Sequence, residues 1–529
     1  MSRSIASAAR RALILSALLA VGGCAAQVPG ETERAGVVAA SNLVQQPGAR
    51  SPVQLPSAHG RFDAAYTGPR ALRGRVTLGA QVQGGAHIVA VTYMLGGEPL
   101  GSATAAPWSL DLNAALLSPG RGVITVAAVD RLGHSALSGP TQVDIQPGGQ
   151  RVLHASPRSH LGAALRALAR GSVLVQLAPG TYRVGSLVLG PGARLDGSGP
   201  STILTPSRGT AALLRTSSSH VRISDLSVDG RWRIDQAVSV YGASDVRIQR
   251  ITVSGVRSDG VEFGGPHSGD SVQDSTLYGR GVATDAGVFD FGSPNSSQTS
   301  VIRTRISGFR GYGILFAQRF HGLKRVAAHN LALENRISDI IDPTRQDGTD
   351  EGGIWTGGVQ AAVIGNSISH TGIDGVETVG SSTGDTIVAN DVWNTHVAIY
   401  LEHSTNRTLV SGNHLWRAAT GINVEYRYGG VGSNTNTLSY NSIAATRVGV
   451  FVDVQEDYNS VVGNVFTGRS TPVILQGSSF TLVRGNVTCA VGRQPVVVQQ
   501  PALSQTGGLA WPSHNRLVSN GHTGACAAP

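Results

Sequence analysis

The chain has 529 residues, a formal net charge of +9 and only 14% charged residues, and this length suffices for two or three domains. The positive charge is almost all arginine and is scattered, so the basic stripe with interleaved aromatics that marks nucleic-acid-binding proteins is missing and no nucleic acid is expected as a partner. Short β-branched runs separated by abundant glycine predict an all-β protein with many turns.

The first 24 residues have the features of an export signal. Three arginines precede an apolar run over 12–21 that is too short to span a membrane as a mature helix. The sequence Val21-Gly22-Gly23-Cys24 that follows resembles the lipobox of bacterial lipoproteins. The resemblance implies cleavage before Cys24, lipidation of its sulfur and an anchor in the outer membrane, on the periplasmic or surface face. An ordinary secretory signal is the alternative.

Two further cysteines, Cys489 and Cys526, remain if Cys24 carries the lipid. An even pair in an oxidising compartment predicts one disulfide, which would fix the C-terminal tail.

Two different segments follow the signal. Residues 25–69 are rich in Ala, Gly, Pro, Ser and Gln without a period, which predicts a flexible linker. Residues 70–146 alternate apolar and polar positions, with Trp108 as a candidate core aromatic. The run AAVDRLG over 127–133 resembles the closing stretch of bacterial Ig-like domains, and this resemblance implies a small Ig-like β-sandwich over 70–146.

Residues 151–529 begin with a helix signal. Ser159 is a candidate N-cap for a short helix that ends at Gly171. The strand that follows runs into Pro179-Gly180-Thr181-Tyr182, and Leu195-Asp196-Gly197-Ser198-Gly199 comes next. These segments resemble the start of right-handed parallel β-helix proteins of the pectin-lyase-like superfamily. The resemblance implies that residues 151–529 form such a β-helix, with the helix covering its open end.

A repeat of about 23 residues supports a solenoid in this part of the chain. It is marked by six asparagines that each close one short apolar run and begin another: Asn366, Asn390, Asn413, Asn441, Asn464 and Asn486. Stacked asparagines at a solenoid turn hydrogen-bond to neighbouring turns, so we interpret these residues as structural.

A second column, of a small residue followed by alternating apolar residues, aligns with this repeat. Because side chains alternate along a strand, the alignment predicts two outward columns. One contains Trp355, Glu377, Tyr400, Asn423 and Phe451, and the other contains Glu402, Glu425 and Asp453. Carboxylates stacked about 4.8 Å apart repel one another, which favours a raised pKa or a bound cation, and aromatics beside acids suit sugar rings. The alternative is a face covered by loops, or one whose acids are neutralised by arginines such as Arg407, Arg427 and Arg447.

An insertion before Gly353 is rich in acidic residues: Asp339, Asp342, Asp347, Asp350 and Glu351. Clustered oxygens suit a hard cation, so Asp347, Asp350 and Glu351 are candidate Ca²⁺ ligands. A solvated acidic loop or a lid over the groove is the alternative.

One segment bears on the reaction. The sequence from Gly372 to Glu377 resembles the G-I-D-P-H-D rung of β-helix alginate C5-epimerases, with Asp374 on the first Asp and Glu377 on the last. Val376 stands where that family has His and Gly375 where it has Pro, so the resemblance extends to the superfamily and does not select an activity.

Two hypotheses for function follow. In the first, an envelope-anchored enzyme acts as a lyase or hydrolase on an acidic, uronate-containing polysaccharide. Its candidate catalytic residues are Glu377, Glu402, Glu425, His403 and Arg407, and its candidate substrate-binding residues are Trp355, Tyr400, Asn423, Arg427, Phe451 and Asp453. In the second, the chain is a non-catalytic polysaccharide-binding or scaffold protein. A monomer is expected in both.

Overall fold

In a computed structural model the described residues are 62–84, 87–117, 119–131, 133–146, 149–291, 297–316, 329–342, 351–380, 382–425, 432–468, 470–489, 496–499, 515–518 and 521–522. Within these residues the chain is all-β, and its larger part is a parallel β-helix of about 13 turns, as predicted. No helix in the described part is long and apolar enough to cross a membrane. The predicted signal peptide, Cys24 and Cys526 lie outside the described residues, so the lipid anchor and the Cys489–Cys526 disulfide stay predictions.

Two small sheets come first. The three-stranded sheet is antiparallel and consists of β1 (Phe62–Tyr66), β3 (Arg75–Gly84) and β6 (Ser109–Asn113). The second sheet consists of β2 (Ala71–Leu72), β4 (Ile88–Leu95), β5 (Glu98–Ala103), β7 (Gly120–Asp130), β8 (Ser135–Leu137) and β9 (Thr141–Ile145). A 3₁₀ turn, Ala114–Leu116, follows β6 and is capped by the side chain of Asn113. Both sheets contribute apolar side chains to one core, against which Trp108 packs. We refer to this region as the sandwich, and its assignment as an Ig-like domain stays a prediction.

The predicted linker ends earlier than residue 69. Strand β1 lies inside the range 25–69 and pairs with β3 from Phe62 to Tyr66. The reason is alternation, because Phe62 is buried while its neighbour Asp63 is exposed.

In each turn of the β-helix the chain passes along three faces, which we call faces A, B and C in chain order. Two long strands, β17 (Arg222–Tyr241) and β18 (Arg247–Gly264), pass along all three faces. The other strands of face A are β10 (Arg151–Ala155), β11 (Val173–Leu177), β14 (Arg194–Asp196), β19 (Ser271–Gln273), β22 (Ser300–Ile302), β25 (Leu331–Leu333), β28 (Ala362–Ile364), β31 (Thr386–Val388), β34 (Leu409–Ser411), β37 (Thr437–Ser439), β40 (Ser460–Val462), β43 (Leu482–Arg484) and β46 (Arg516–Val518).

Face B is formed by β12 (Gly180–Val184), β15 (Thr202–Pro206), β20 (Thr276–Tyr278), β23 (Arg305–Ser307), β26 (Arg336–Ile340), β29 (Ser367–Thr371), β32 (Asp391–Trp393), β35 (His414–Trp416), β38 (Ser442–Ala444), β41 (Val465–Phe466), β44 (Val487–Thr488) and β47 (Gly521–His522). Face C is formed by β13 (Leu187–Leu189), β16 (Thr210–Thr216), β21 (Ala286–Asp290), β24 (Tyr312–Phe316), β27 (Gly352–Thr356), β30 (Asp374–Thr378), β33 (Val397–Glu402), β36 (Thr420–Glu425), β39 (Val448–Val452), β42 (Thr471–Gln476) and β45 (Val496–Gln499). Alternate side chains of all three faces point inward and form one continuous apolar core.

A single α-helix among the described residues, α1 (Leu161–Arg170), covers the first turn of the coil and buries Ala164 and Leu168. It ends at Gly171 as predicted, but Ser159 is not its cap. The N-cap position is taken by His160, which has a positive φ of 59° and makes no side-chain capping hydrogen bond.

The asparagine repeat forms a hydrogen-bonded ladder between faces A and B. The Nδ2 group of Asn413 donates to the carbonyl of Ile387 at 2.9 Å and to Oδ1 of Asn441 at 2.9 Å. Its Oδ1 accepts from Asn390, and the same pattern joins the other members of the repeat. The ladder also includes Asn335, which the sequence interpretation missed because it lies 31 residues before Asn366. The structural role predicted for these asparagines is confirmed.

The sandwich packs along face A. Outward apolar side chains of Ile302, Leu331 and Ile364 form one buried cluster with Ala90 and Val129 of the sandwich. Polar contacts extend this interface: Arg222 donates to the carbonyl of Leu116 at 2.9 Å, and Arg250 pairs with Glu98 at 3.0 Å. Face A is therefore partly covered by the sandwich.

Candidate functional site

Both predicted outward columns are present on face C. In the first column Trp355 pairs with Glu377, Glu377 with Tyr400, Tyr400 with Asn423, and Asn423 with Phe451. In the second column Glu402 pairs with Glu425, and the backbone N–H of Asp453 bonds the carbonyl of Val424 on the preceding turn. The predicted register is thus confirmed, while the catalytic and binding roles of these residues stay predictions.

Two aromatic residues of the first column are buried, although the sequence places them on the outward side of the coil. Tyr400 is 5% exposed and Trp355 is 6% exposed. Trp355 stacks on Tyr312 with ring centroids 5.8 Å apart and belongs to an apolar cluster with Ala286 and Val379. Burial of this kind strengthens electrostatic interactions at the site, because water is kept away from the charged groups.

The hydroxyl of Tyr400 joins the two columns. It lies 3.2 Å from Oε1 of Glu402 and 2.9 Å from Oε2 of Glu425, which is one turn further along the coil. The same Oε2 accepts a hydrogen bond of 2.8 Å from Nδ2 of Asn423. One hydroxyl within reach of two carboxylates is an arrangement that can pass a proton between them.

Two further acids, Asp453 and Glu456, belong to the same group as Tyr400, Glu402 and Glu425. Burial, reinforced by the charge of Glu425, raises the pKa of Asp453 to about 6. Burial raises the pKa of Glu456 to about 8, with the charges of Asp453, Asp457 and Glu425 adding to the effect, while a hydrogen bond from the backbone N–H of Ser433 opposes it. Oδ1 of Asp453 and Oε1 of Glu456 are buried and have no hydrogen-bond partner among the residues that the structure describes. We call Tyr400, Glu402, Glu425, Asp453 and Glu456 the carboxylate cluster.

The remaining predicted catalytic residues are placed differently. Nε2 of His403 lies 3.2 Å from Oε1 of Glu402, so this histidine adjoins the carboxylate cluster. Arg407 is exposed on the turn after β33 and forms no ion pair with any residue in the described ranges. Arg427 lies outside the described residues. Arg447 is exposed just before β39.

The candidate calcium ligands are described only in part. Asp347 and Asp350 lie outside the described residues, while Glu351 is buried immediately before β27. Asp342 lies 4.0 Å from Arg310. Within the described part of the chain no group of three or more His, Cys, Asp or Glu side chains is arranged to hold a metal ion. The Ca²⁺ prediction therefore stays a prediction.

Sequence interpretation missed two acidic groups on face C. Glu456 was missed because it lies in the turn after β39, where the strand alternation used to find the columns no longer applies. The second group lies seven turns earlier than Glu456, where the hydroxyl of Ser258 is 2.9 Å from Asp259 and 2.6 Å from Asp285. Burial raises the pKa of Asp259 well above its usual value, and Asp285 and Glu262 add to the shift. The signal was available, since Asp259-Gly260-Val261-Glu262 repeats the sequence of Asp374 to Glu377.

Comparisons with known proteins give these similarities. Residues 295–487 match the family described as periplasmic copper-binding protein (NosD). No curated protein matches the chain in sequence. The A-module of the mannuronan C-5 epimerase AlgE6 from Azotobacter vinelandii is 17% identical, and the match covers 69% of this chain and 94% of that one with a TM-score of 0.40. The catalytic unit of a GH87 α-1,3-glucanase from Streptomyces thermodiastaticus is 13% identical over 88% of this chain and 97% of that one, with a TM-score of 0.45. An alginate lyase from Paenibacillus sp. is 15% identical over 66% of this chain and 99% of that one, with a TM-score of 0.30.

The segment that matches the copper-binding family lacks the soft ligands that select copper. Copper(I) sites favour thiolate and thioether sulfur. The two methionines of the chain are Met1 and Met94, and all three cysteines also lie outside 295–487. This donor set does not fit a sulfur-ligated copper(I) centre, and no metal-binding group is present among the described residues.

Proposed function

We propose that the protein is an enzyme that cleaves a polysaccharide at the carboxylate cluster of face C, by general acid–base catalysis. The observation that carries this proposal is that the Tyr400 hydroxyl lies within hydrogen-bond distance of both Glu402 and Glu425, beside Asp453, an acid with a raised pKa. Such a group places an acid with a raised pKa beside two further carboxyl groups, which is the composition that general acid–base catalysis needs.

Hydrolysis is the reaction that this arrangement supports best. Glycosidases place two carboxyl groups at the scissile bond, one to protonate the leaving oxygen and one to activate water or attack the sugar. Asp453, with a pKa of about 6, holds its proton in mildly acidic solution and is suited to the acid role. Glu425 accepts hydrogen bonds from Tyr400 and Asn423, which orient its carboxylate for the second role.

A lyase reaction is the second candidate, and one contact favours it. A lyase needs a group that removes the proton at C5 of a uronate and a group that protonates the leaving oxygen. The hydroxyl of Tyr400 and the imidazole of His403, both next to Glu402, could fill these roles.

We further propose an acidic substrate and an exported location. A net charge of +9 and the exposed arginines Arg407 and Arg447 beside face C favour a uronate-containing polymer. The lipobox-like sequence ending at Cys24 and the match to a family described as periplasmic support export and a lipid anchor.

The test is an incubation of the purified protein with alginate, pectate and a neutral α-glucan. New reducing ends without the ultraviolet absorbance of unsaturated uronates indicate a hydrolase, and both signals together indicate a lyase. Glu402→Gln and Glu425→Gln should each abolish product formation. Asp63→Asn, at an exposed position of β1, is the control for loss of one acidic side chain.

Two outcomes contradict the proposal. Full activity in both glutamate variants would exclude the assigned site. Retained polymer binding without any product would support the non-catalytic scaffold instead.

A further inference from the structure

Face B carries a row of small hydroxyl side chains between two aromatic ones. In register along the coil, Tyr278 pairs with Ser307, Ser307 with Ser338, Ser338 with Ser369, and Ser369 with Trp393. The two aromatic residues are separated by four turns, or about 19 Å at roughly 4.8 Å per turn. The serines leave a shallow strip between them, because their side chains are much shorter than those at either end.

Two arginines line this strip. Arg305 and Arg336 pair directly on adjacent turns, two positions before Ser307 and Ser338. Both are exposed, whereas the intervening Ile306 and Ile337 are buried in the coil. Neither arginine forms an ion pair within the part of the chain that the structure describes. At the edge of the strip, Asp339 accepts a hydrogen bond of 2.9 Å from the hydroxyl of Ser338.

This placement is electrostatically unfavourable without an anion. Like charges directly opposite each other on neighbouring strands destabilise a sheet. Two other arginines of the coil contrast with this pair, since Arg250 and Arg303 each form a two-pronged contact with an aspartate, Asp225 and Asp274 respectively. Arg305 and Arg336 instead leave ten donor N–H groups available to a ligand that carries repeated carboxylates.

The aromatic end of the strip is rigid. The rings of Trp393 and Trp416 stack with centroids 5.3 Å apart and an angle of 7° between their planes. Trp416 is held in place because its Nε1 donates to Asp391 at 2.9 Å and the guanidinium of Arg417 lies 4.9 Å from its ring centre. On its other side Trp393 is in register with Ser369 of the preceding turn, whose side chain is much smaller than a second indole ring. The indole of Trp393 is partly exposed, and its apolar face suits the apolar face of a sugar ring.

We propose that face B is a second, non-catalytic binding site for an acidic polysaccharide. Arg305 and Arg336 bind successive carboxylates, the partly exposed Ser307 and Ser338 bind sugar hydroxyls, and Trp393 stacks on a terminal ring of the bound segment. The site lies on a different face from the carboxylate cluster and does not depend on the proposed reaction. Its role is to hold the polymer to the coil.

The experiment measures binding of polygalacturonate and of neutral dextran to the full-length Glu425→Gln protein, a background that avoids degradation of the polymer. We expect binding of polygalacturonate only, and weaker binding as salt is raised, because the arginines are exposed. The double substitution Arg305→Gln/Arg336→Gln should weaken binding about tenfold or more, and Trp393→Ala should weaken it as well. The matched control is Arg183→Gln/Arg215→Gln, which removes the same charge from exposed positions on β12 and β16.

Three results would overturn the proposal. They are unchanged binding in the Arg305/Arg336 variant, an equal loss in the Arg183/Arg215 control, and tighter binding of single-stranded DNA than of polygalacturonate. If the proposed reaction on face C is wrong, the losses caused by the face B substitutions should persist, so the two proposals fail separately. In the protein with Glu425 intact, the Arg305/Arg336 variant should degrade short oligosaccharides at the wild-type rate.

Discussion

The hydroxyl of Tyr400 lies 2.9 Å from Oε2 of Glu425, although the two residues are 25 positions apart in the chain. The coil brings them together because Tyr400 and Asn423 occupy the same position on adjacent turns, and Glu425 is the next outward residue after Asn423. This contact links the two outward columns into one site.

Removing this hydroxyl should impair catalysis without unfolding the protein. In Tyr400→Phe the ring remains, but neither Glu402 nor Glu425 keeps its bond to the phenol. We expect product formation to fall by about 100-fold or more, the range for a lost acid–base group. Initial rates of reducing-end release measure the effect. The control is Tyr440→Phe, because Tyr440 is 57% exposed and remote from the site. Equal rates in wild type and Tyr400→Phe would remove Tyr400 from the mechanism.

Stability should fall as the pH rises. Burial holds the pKa of Glu456 at about 8, whereas a glutamate in the unfolded chain titrates near 4.3. Protonated Glu456 therefore contributes its full stabilisation below about pH 4, where both the folded and the unfolded chain hold the proton. Between about pH 4 and about pH 8 the folded chain retains a proton that the unfolded chain has released, so this stabilisation declines and is lost as the pH rises through about 8. Urea denaturation at intervals from about pH 5 to about pH 9 should show a declining free energy of unfolding, with a smaller decline in Glu456→Gln.

Comparison of the variant with the wild type separates the contribution of Glu456 to this pH dependence from that of other buried acids. One such acid is Asp385, because burial raises its pKa to about 7. If the two proteins showed the same pH dependence, the proton would not reside on Glu456.

Interrupting the asparagine ladder should destabilise the coil. Asn413→Ala removes the acceptor of the Asn390 backbone N–H and the donor to the Ile387 carbonyl, both of which are buried. Unsatisfied buried groups cost about 1–3 kcal/mol each, so we expect a loss of about 3 kcal/mol in the free energy of unfolding, measured by denaturant titration. Asn394→Gly, which loses one exposed contact with His370 at a position whose positive φ of 54° glycine adopts without strain, should cost much less. A similar small loss in both variants would show that the ladder contributes little.

The contact between the sandwich and face A can be tested at Val129. This side chain is 5% exposed and packs in the cluster that contains Ile302 and Leu331. Val129→Asp places a carboxylate in that cluster, and we expect a loss of about 3 kcal/mol, seen as a lower midpoint of thermal unfolding. Val123→Asp on the same strand is the matched control, because Val123 is 38% exposed. An unchanged midpoint in Val129→Asp would show that this contact does not stabilise the protein.

The sequence predicted features that depend on periodicity. The spacing of Asn366 and Asn390 placed the ladder, and the alternation after each small residue correctly placed Tyr400 opposite Asn423 and Glu402 opposite Glu425. Features that depend on contacts distant in sequence were not predicted. The packing of Val129 on face A joins segments with no common pattern, and the burial of Trp355 results from neighbours contributed by several turns.

The number of residues in each turn varies, whereas the hydrogen bonds of the asparagine ladder stay constant in length. From Asn335 onward, successive ladder asparagines are 31, 24, 23, 28, 23 and 22 residues apart, yet the side-chain bonds between them stay at 2.9–3.0 Å. The five extra residues between Asn413 and Asn441, compared with the turn before, are therefore accommodated away from the ladder. Insertions and deletions after the strands of face C can thus accumulate without a change in stacking. The loops beside the carboxylate cluster can therefore change in length while the coil that supports the cluster stays the same.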